Sequence, residues 1–214
     1  IIGFKEGRYM ASCDEIYITI KGVGGHAAMP DKCIDPIAIG ASIIMQLQQL
    51  ISRKCDPKTP SVLSFGTFEG IGATNVIPSI VKLEGTFRTM DEVWRSQAIK
   101  LIEEQVKAIA ETNGAKAKVN IIKGYPCLDN NIKLTRELKE KAKLILGHQN
   151  VVDLPIRMTS EDFSFYSQSV PVCFFRLGVR NEKLGIIHGV HHPLFDIDDE
   201  ALITGVKIMC SAAL

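Results

Sequence analysis

Between residues 15 and 123, strand-like and helix-like apolar periods follow one another in an order that leaves few topologies open. Glu15 to Lys21 alternates, with Ile16, Ile18 and Ile20 on one face, the period of a half-buried strand. Asp35-Pro36 then supplies a helix cap followed by proline at the first helical position. Ile37, Ala41, Ile44, Leu47 and Ile51 follow at three- and four-residue steps, predicting a helix near 35–54 with that apolar face. Lys58-Thr59-Pro60 breaks the pattern before Val62, Leu63, Phe65 and Phe68 resume as strand. Gly70-Ile71-Gly72 turns the chain, and Asn75-Val76-Ile77-Pro78 leads into another strand. There Val81, Leu83 and Phe87 face one way, and Lys82, Glu84, Thr86 and Arg88 the other. A second helix is expected from about Asp91 to Asn113, with Ala98, Ile102, Val106 and Ile109 on one face and Gly114 at its C-terminal cap. Ala117, Val119 and Ile121 alternate in a last strand. Strand, helix, strand, strand, helix, strand is the split βαβ, or ferredoxin-like βαββαβ, arrangement: an antiparallel sheet with two helices on one face. The expected class is α+β.

After Tyr125-Pro126 the character changes. Asn131 to Leu146 reads as a helix, Ser160 to Ser167 as a short one, Val172 to Leu177 as a buried strand and Asp199 to Ala212 as a final helix. A single strand among three helices has unpaired edges. Its partners are expected from sequence upstream of Ile1, and residues 124–214 then form part of an incomplete α/β domain. The opening Ile1-Ile2-Gly3-Phe4, without an initiator Met, supports reading the chain as cut from a longer polypeptide.

Composition excludes several classes of function. A net charge of +1 without a basic run argues against a nucleic-acid surface. No apolar run approaches the ~20 residues that span a bilayer. Cys13, Cys33, Cys55, Cys127, Cys173 and Cys210 include no CxxC pair, which favours reduced thiols in a cytoplasmic protein.

Few residues here suit chemistry. His26 follows a strand in a turn with Gly22, Gly24 and Gly25, whose backbone freedom lets a neighbouring side chain project clear of the sheet; the plainer reading is an ordinary surface turn. Asn75 and Arg88 are an amide and a guanidinium suited to gripping a carboxylate, or else a turn residue and a solvated strand residue. His188, His191 and His192 lie in one loop with Gly185 and Gly189. Neutral imidazole is a common metal ligand, but adjacent histidines point apart, so at most one of His191 and His192 serves a given ion. Glu161-Asp162 opens the short helix, where acids suit the helix dipole. Cys210, in an apolar helix, reads as a core residue.

Taken together, Met10-Ala11-Ser12-Cys13-Asp14, Gly22-Val23-Gly24-Gly25-His26-Ala27-Ala28-Met29-Pro30, Asp35-Pro36-Ile37, Gly66-Thr67-Phe68, Asn75-Val76-Ile77-Pro78, Gly85-Thr86-Phe87-Arg88, Ser160-Glu161-Asp162-Phe163-Ser164 and His191-His192-Pro193-Leu194-Phe195-Asp196 resemble the metal-dependent amidohydrolases of the aminoacylase, hippurate hydrolase and auxin-conjugate hydrolase kind. The match runs in order over nearly the whole chain. The resemblance implies a catalytic domain with two divalent metals, zinc or manganese, into which a ferredoxin-like lid that also makes the dimer contact is inserted. Residues 15–123 look like the lid, and 1–14 and 124–214 like flanking pieces of the catalytic domain.

Carried over by position, His26 would reach the partner subunit's active site and stabilise the tetrahedral oxyanion. Asn75 and Arg88 would hold the substrate carboxylate, His191 would bind metal, and Glu161 would lie near the site. His192 stands where such enzymes often have a small polar residue. The family takes a cysteine, further histidines and paired glutamates, including the general base, from sequence before its lid. That segment is not among these residues, so this chain alone is expected to be an inactive fragment that holds no tight metal. The implied reaction is hydrolysis of a small-molecule N-acyl amino acid to an amino acid and a carboxylic acid by a homodimer joined through the lid. The alternative is a non-catalytic ferredoxin-like binding or dimerisation module.

Overall fold

A computed structural model describes residues 1–213. In chain order its principal elements are β1 (Ile2–Phe4), β2 (Asp14–Lys21), β3 (Gly25–His26), α1 (Pro36–Gln49), β4 (Ser61–Glu69), β5 (Val76–Ile77), β6 (Ile80–Thr89), α2 (Glu92–Thr112), β7 (Lys116–Lys123), α3 (Ile132–Leu146), β8 (Val151–Asp153), α4 (Ser164–Ser167), β9 (Arg176–Leu177) and α5 (Glu200–Ala213). Two compact units result. One holds Met10–Leu128 and Arg157–Ser164; the other holds Ile1–Tyr9, Asp129–Ile156 and the chain from Phe165 onward. Segment 157–164, grouped by sequence with 124–214, thus clusters with the 10–128 unit.

The larger unit contains a four-stranded sheet in the order β4–β6–β2–β7, with every neighbouring pair antiparallel. Ile18 stands opposite Leu83 on one side and Val119 on the other. One core joins Ile16, Ile18, Ile20, Leu63, Val81, Leu83 and Phe87 of the sheet to Ile39, Ile43 and Leu47 of α1 and Ala98, Ile102, Val106 and Ala110 of α2. Both helices therefore cover the same face, because the strand period sends every second side chain to it. Asp35 caps α1, accepting from the Ile37 and Ala38 amides, with Pro36 at the first position. Asp91 caps α2 by accepting from Trp94 N at 2.8 Å, and Gly114 follows it with φ 77°.

Several expectations need correction. The buried stripe of α1 is Ile39, Gly40, Ile43 and Leu47, whereas Ile37 is 38% exposed; the helix is apolar nearly all round, so periodicity did not single out its inner face. Beyond Gln49 it continues as a π-helical turn, Leu50–Lys54. Residues 75–78 do not run straight into β6: Val76–Ile77 is a separate strand, broken from Ile80–Thr89 at Pro78-Ser79.

In the smaller unit, the strand expected at Val172–Leu177 is only Arg176–Leu177, and its partner lies inside the chain. Gly3 pairs antiparallel with Arg176, and β1 also pairs in parallel with Val151–Asp153. Three-residue strands carry too little period to be read from sequence. Asn130, buried, pins this region: its amide donates to Lys5 O at 2.8 Å and Phe174 O at 2.9 Å, and its Oδ1 accepts from Phe174 N at 2.7 Å. α3 and α5 pack against Ile2, Phe4 and Val151 through Leu138, Ala142 and Ile208. The short helix near 160 is only Ser164–Ser167. Cys210, expected in the core, is exposed on α5, and all six cysteines are free. Among the described residues no helix is long and apolar enough to cross a membrane.

A buried ion pair ties the larger unit together. Arg95 of α2 donates from Nε to Asp14 Oδ2 at 2.9 Å and from Nη2 to Asp14 Oδ1 at 2.6 Å. Its Nη1 bonds Glu92 Oε2 at 3.0 Å, and Nη2 also reaches Gly124 O at 3.1 Å. The Asp14 side chain is fully buried and that of Arg95 is 7% exposed. Arg95→Ala should lower unfolding free energy by about 3–5 kcal/mol, because it strands a buried carboxylate. Lys107→Ala, which breaks an exposed pair with Glu103, should change it by less than about 0.5 kcal/mol. Urea denaturation of both variants checks this, and equal, small effects would refute it.

Candidate active site

Glycines let the strip after β2 lie against its neighbours. A Cβ on Gly22 would overlap the Ile34 carbonyl, and one on Gly24 would sit 2.5 Å from Ile77 O. Released from side chains there, residues 22–26 run antiparallel to 75–79: Gly22 N donates to Ser79 O at 2.9 Å and Gly24 N to Ser79 Oγ at 3.2 Å. Gly25 then pairs with Ile77 and His26 with Val76. Ala27 N donates to Asn75 O at 3.0 Å. His26 and Asn75 are thereby held side by side, both exposed.

The ring of His26 has a defined polarity. Its Nδ1 accepts from Ala28 N at 3.1 Å. A neutral imidazole whose Nδ1 is an acceptor carries its proton on Nε2. His26 accordingly presents an N–H donor to solvent, the form suited to a developing oxyanion.

Arg88 lies elsewhere. It is near the C-terminal end of β6, whereas Asn75 lies before that strand begins. The ladder from Lys21↔Ile80 to Asp14↔Phe87 is unbroken, so Ile80 and Arg88 are about 26 Å apart along the strand. Asn75 and Arg88 therefore lie far apart along the sheet of one copy. Arg88 Nη1 donates to Met158 O at 3.2 Å, leaving other donors of its guanidinium for a ligand. A groove of about 450 Å³ beside it is lined by Cys13, Glu15, Tyr17, Phe65, Glu84 and Thr86, among others.

Glu161, in the same compact unit as Arg88, is half-buried. Burial pushes its carboxyl above the ordinary 4.5, helped by a hydrogen bond with Asp162. The folded state thus disfavours the ionised form, so stability falls as pH rises through the carboxylate range. Glu161→Gln should raise Tm at pH 7, and the gain should vanish once pH falls below 4.5. Thermal melts across that interval test the sign; a gain confined to low pH would reverse it.

His191 and His192 are distinguished by their bonds. His192 Nδ1 accepts from Leu194 N at 3.1 Å, and its ring stacks on His188 with centroids 4.0 Å apart. The neutral His192 proton is thereby placed on Nε2, leaving no free lone pair for a metal. His191 is the residue held in the left-handed region, φ 75°. It is exposed, in the smaller unit. Among the described residues no three His, Cys, Asp or Glu side chains form a group that could hold a metal ion. The described residues do not by themselves make up a dinuclear metal centre; they offer His191 as one candidate ligand.

Residues 7–214 match the family model of peptidase family M20/M25/M40. IAA-amino acid hydrolase ILR1-like 4 of Arabidopsis thaliana is 35% identical over 216 residues, covering 99% of this chain and 49% of the relative. N-acetyldiaminopimelate deacetylase of Bacillus subtilis (strain 168) is 34% identical over 210 residues, covering 97% and 54%. The crystal structure of the Bacillus subtilis YXEP protein, described as a dinuclear metal binding peptidase from the M20 family, superposes with a TM-score of 0.73 at 27% identity, covering 99% of this chain and 52% of that one. The chain spans about half the length of the curated relatives it matches. With the ordered motifs, the matched range and these relatives in agreement, the chain belongs to peptidase family M20/M25/M40.

Proposed function

We propose that the protein containing this chain hydrolyses the amide bond of N-acyl amino acids, with residues 15–123 as a ferredoxin-like lid and dimerisation domain and 1–14 and 124–214 as parts of the catalytic domain. The observation that carries the reading is the His26 turn, which presents an Nε2–H donor beside the Asn75 amide. A donor placed there without moving stabilises charge as the carbonyl becomes tetrahedral. Arg88 supplies a carboxylate clamp, and Glu161 lies near the site. The relatives support the chemistry: one is named an IAA-amino acid hydrolase and another an N-acetyldiaminopimelate deacetylase.

The separation of His26 and Asn75 from Arg88 along β6 supports a homodimer. For one substrate to meet all three, His26 and Asn75 come from one copy and Arg88 from the other. A C2 pair makes two such composite sites at once.

His26→Ala should lower kcat about a hundredfold or more. Arg88→Ala should chiefly raise KM for substrates with a free carboxylate and erase their advantage over esters. Mixing the two variants of the complete protein should restore up to about a quarter of the activity, since half the dimers are mixed and each holds one intact site. No restoration despite demonstrated subunit exchange would place His26 and Arg88 in the same copy's site. A complete protein that dimerises yet hydrolyses no N-acyl amino acid would be a binding module instead.

A further inference from the structure

The uncovered face of the four-stranded sheet is electrically uneven. At the end where β2 finishes, Lys21 stands directly opposite Lys116 on one neighbour and Ile80 on the other. One row back, Thr19 separates Lys82 from Lys118. All four lysines are exposed, and none forms an ion pair among the described residues. Glu69, opposite Lys82, is the single acid in these rows. Like charges directly across a ladder repel, and four ammonium groups against one carboxylate leave that end of the face with an unbalanced positive potential.

A groove of about 360 Å³ opens at the same place, lined by Glu69, Ile71, Pro78, Ser79, Ile80 and Lys82. Ile71 is 81% exposed and Ile80 46% exposed. Apolar side chains so open to water, beside cations without partners, mark a surface that a ligand with both characters would cover. Lys82 lines the groove from β6, and Lys21 stands across from Ile80 on the neighbouring strand β2.

We propose that this groove binds an organic carboxylate with a short apolar body. The apolar part lies on Ile71, Pro78 and Ile80, and the carboxylate is held by the Lys21 and Lys82 ammonium groups. A phosphate lacks the part that fits the apolar wall, and a neutral amphiphile lacks the charge that fits the lysines. None of the residues that bind it is His26, Asn75 or Arg88, although Pro78 and Ser79 belong to the strip that pairs with residues 22–26.

The test is titration of the complete protein with octanoate, octanamide and inorganic phosphate, followed by amide chemical shifts. Octanoate should saturate with shifts centred on Ile71, Ile80 and Lys82, octanamide should bind about tenfold more weakly, and phosphate should neither saturate nor displace octanoate. Added salt should weaken octanoate alone. A Lys21→Gln/Lys82→Gln double variant should bring octanoate down to the octanamide level while octanamide binding stays unchanged. Equal affinity for octanoate and octanamide, displacement by phosphate, shifts centred elsewhere, or no saturation would each overturn the proposal. The comparison of octanoate with octanamide needs no variant, so it holds whether or not the double substitution folds. Because no readout involves hydrolysis, failure here leaves the amidohydrolase reading untouched.

Discussion

The larger unit depends on the buried contact between Asp14 and Arg95. Asp14 opens β2 on its inward face, and Arg95 lies on the inward face of α2. Burial alone works against the guanidinium charge, but the hydrogen bonds and charges of Asp14 and Glu92 outweigh it and raise the Arg95 pKa. The same cluster reaches the chain after β7: Gly124 N donates to Asp14 Oδ1 at 3.3 Å, and Cys127 N to Glu92 Oε1 at 2.8 Å. Gly124 N also donates to Cys13 O, and Cys13 N to Tyr125 O. The chain therefore enters and leaves this unit side by side, with β2 as a central strand between β6 and β7. Removing either charge leaves the other buried without a partner, which costs more than the pair itself contributes.

That arrangement also divides the candidate site. β2 runs from the ion pair at Asp14 to Lys21, and the glycine strip carrying His26 follows it. β6 runs back the other way, from the Asn75 end to Arg88. His26 and Asn75 lie past one end of the sheet, whereas Arg88 lies near the other end, within β6. In the homodimer proposed above, a second copy unites them. The tautomer of His26 and that of His192 are likewise set by single backbone amides, Ala28 N and Leu194 N.

Legibility followed the strength of the local period. The order of the long strands and helices between 15 and 123 was readable because each of these is long enough to show its own repeat, and the caps at Asp35, Asp91 and Gly114 fell where side-chain and backbone chemistry require. Arg95 was readable in principle: it shares the apolar stripe of Ala98, Ile102 and Val106, as Asp14 shares the inward face of Ile16 and Ile18. Two opposite charges that each break an apolar pattern point to one another. The strands Ile2–Phe4 and Val151–Asp153 gave no such signal, because three residues make barely one alternation. Cys210 was misplaced because α5 is apolar on both sides, leaving Leu202, Ile203, Val206 and Met209 exposed with it.

Sequence by itself determined the alternation of elements, their caps and which side chains could take part in chemistry, since these depend on near neighbours along the chain. Only the tertiary structure decided which face of α1 turns inward, where β9 finds its partner, and that His26 and Asn75 share one corner while Arg88 does not. Those outcomes depend on contacts between segments far apart in sequence. No local period records such contacts; packing and register settle them when the sheet closes.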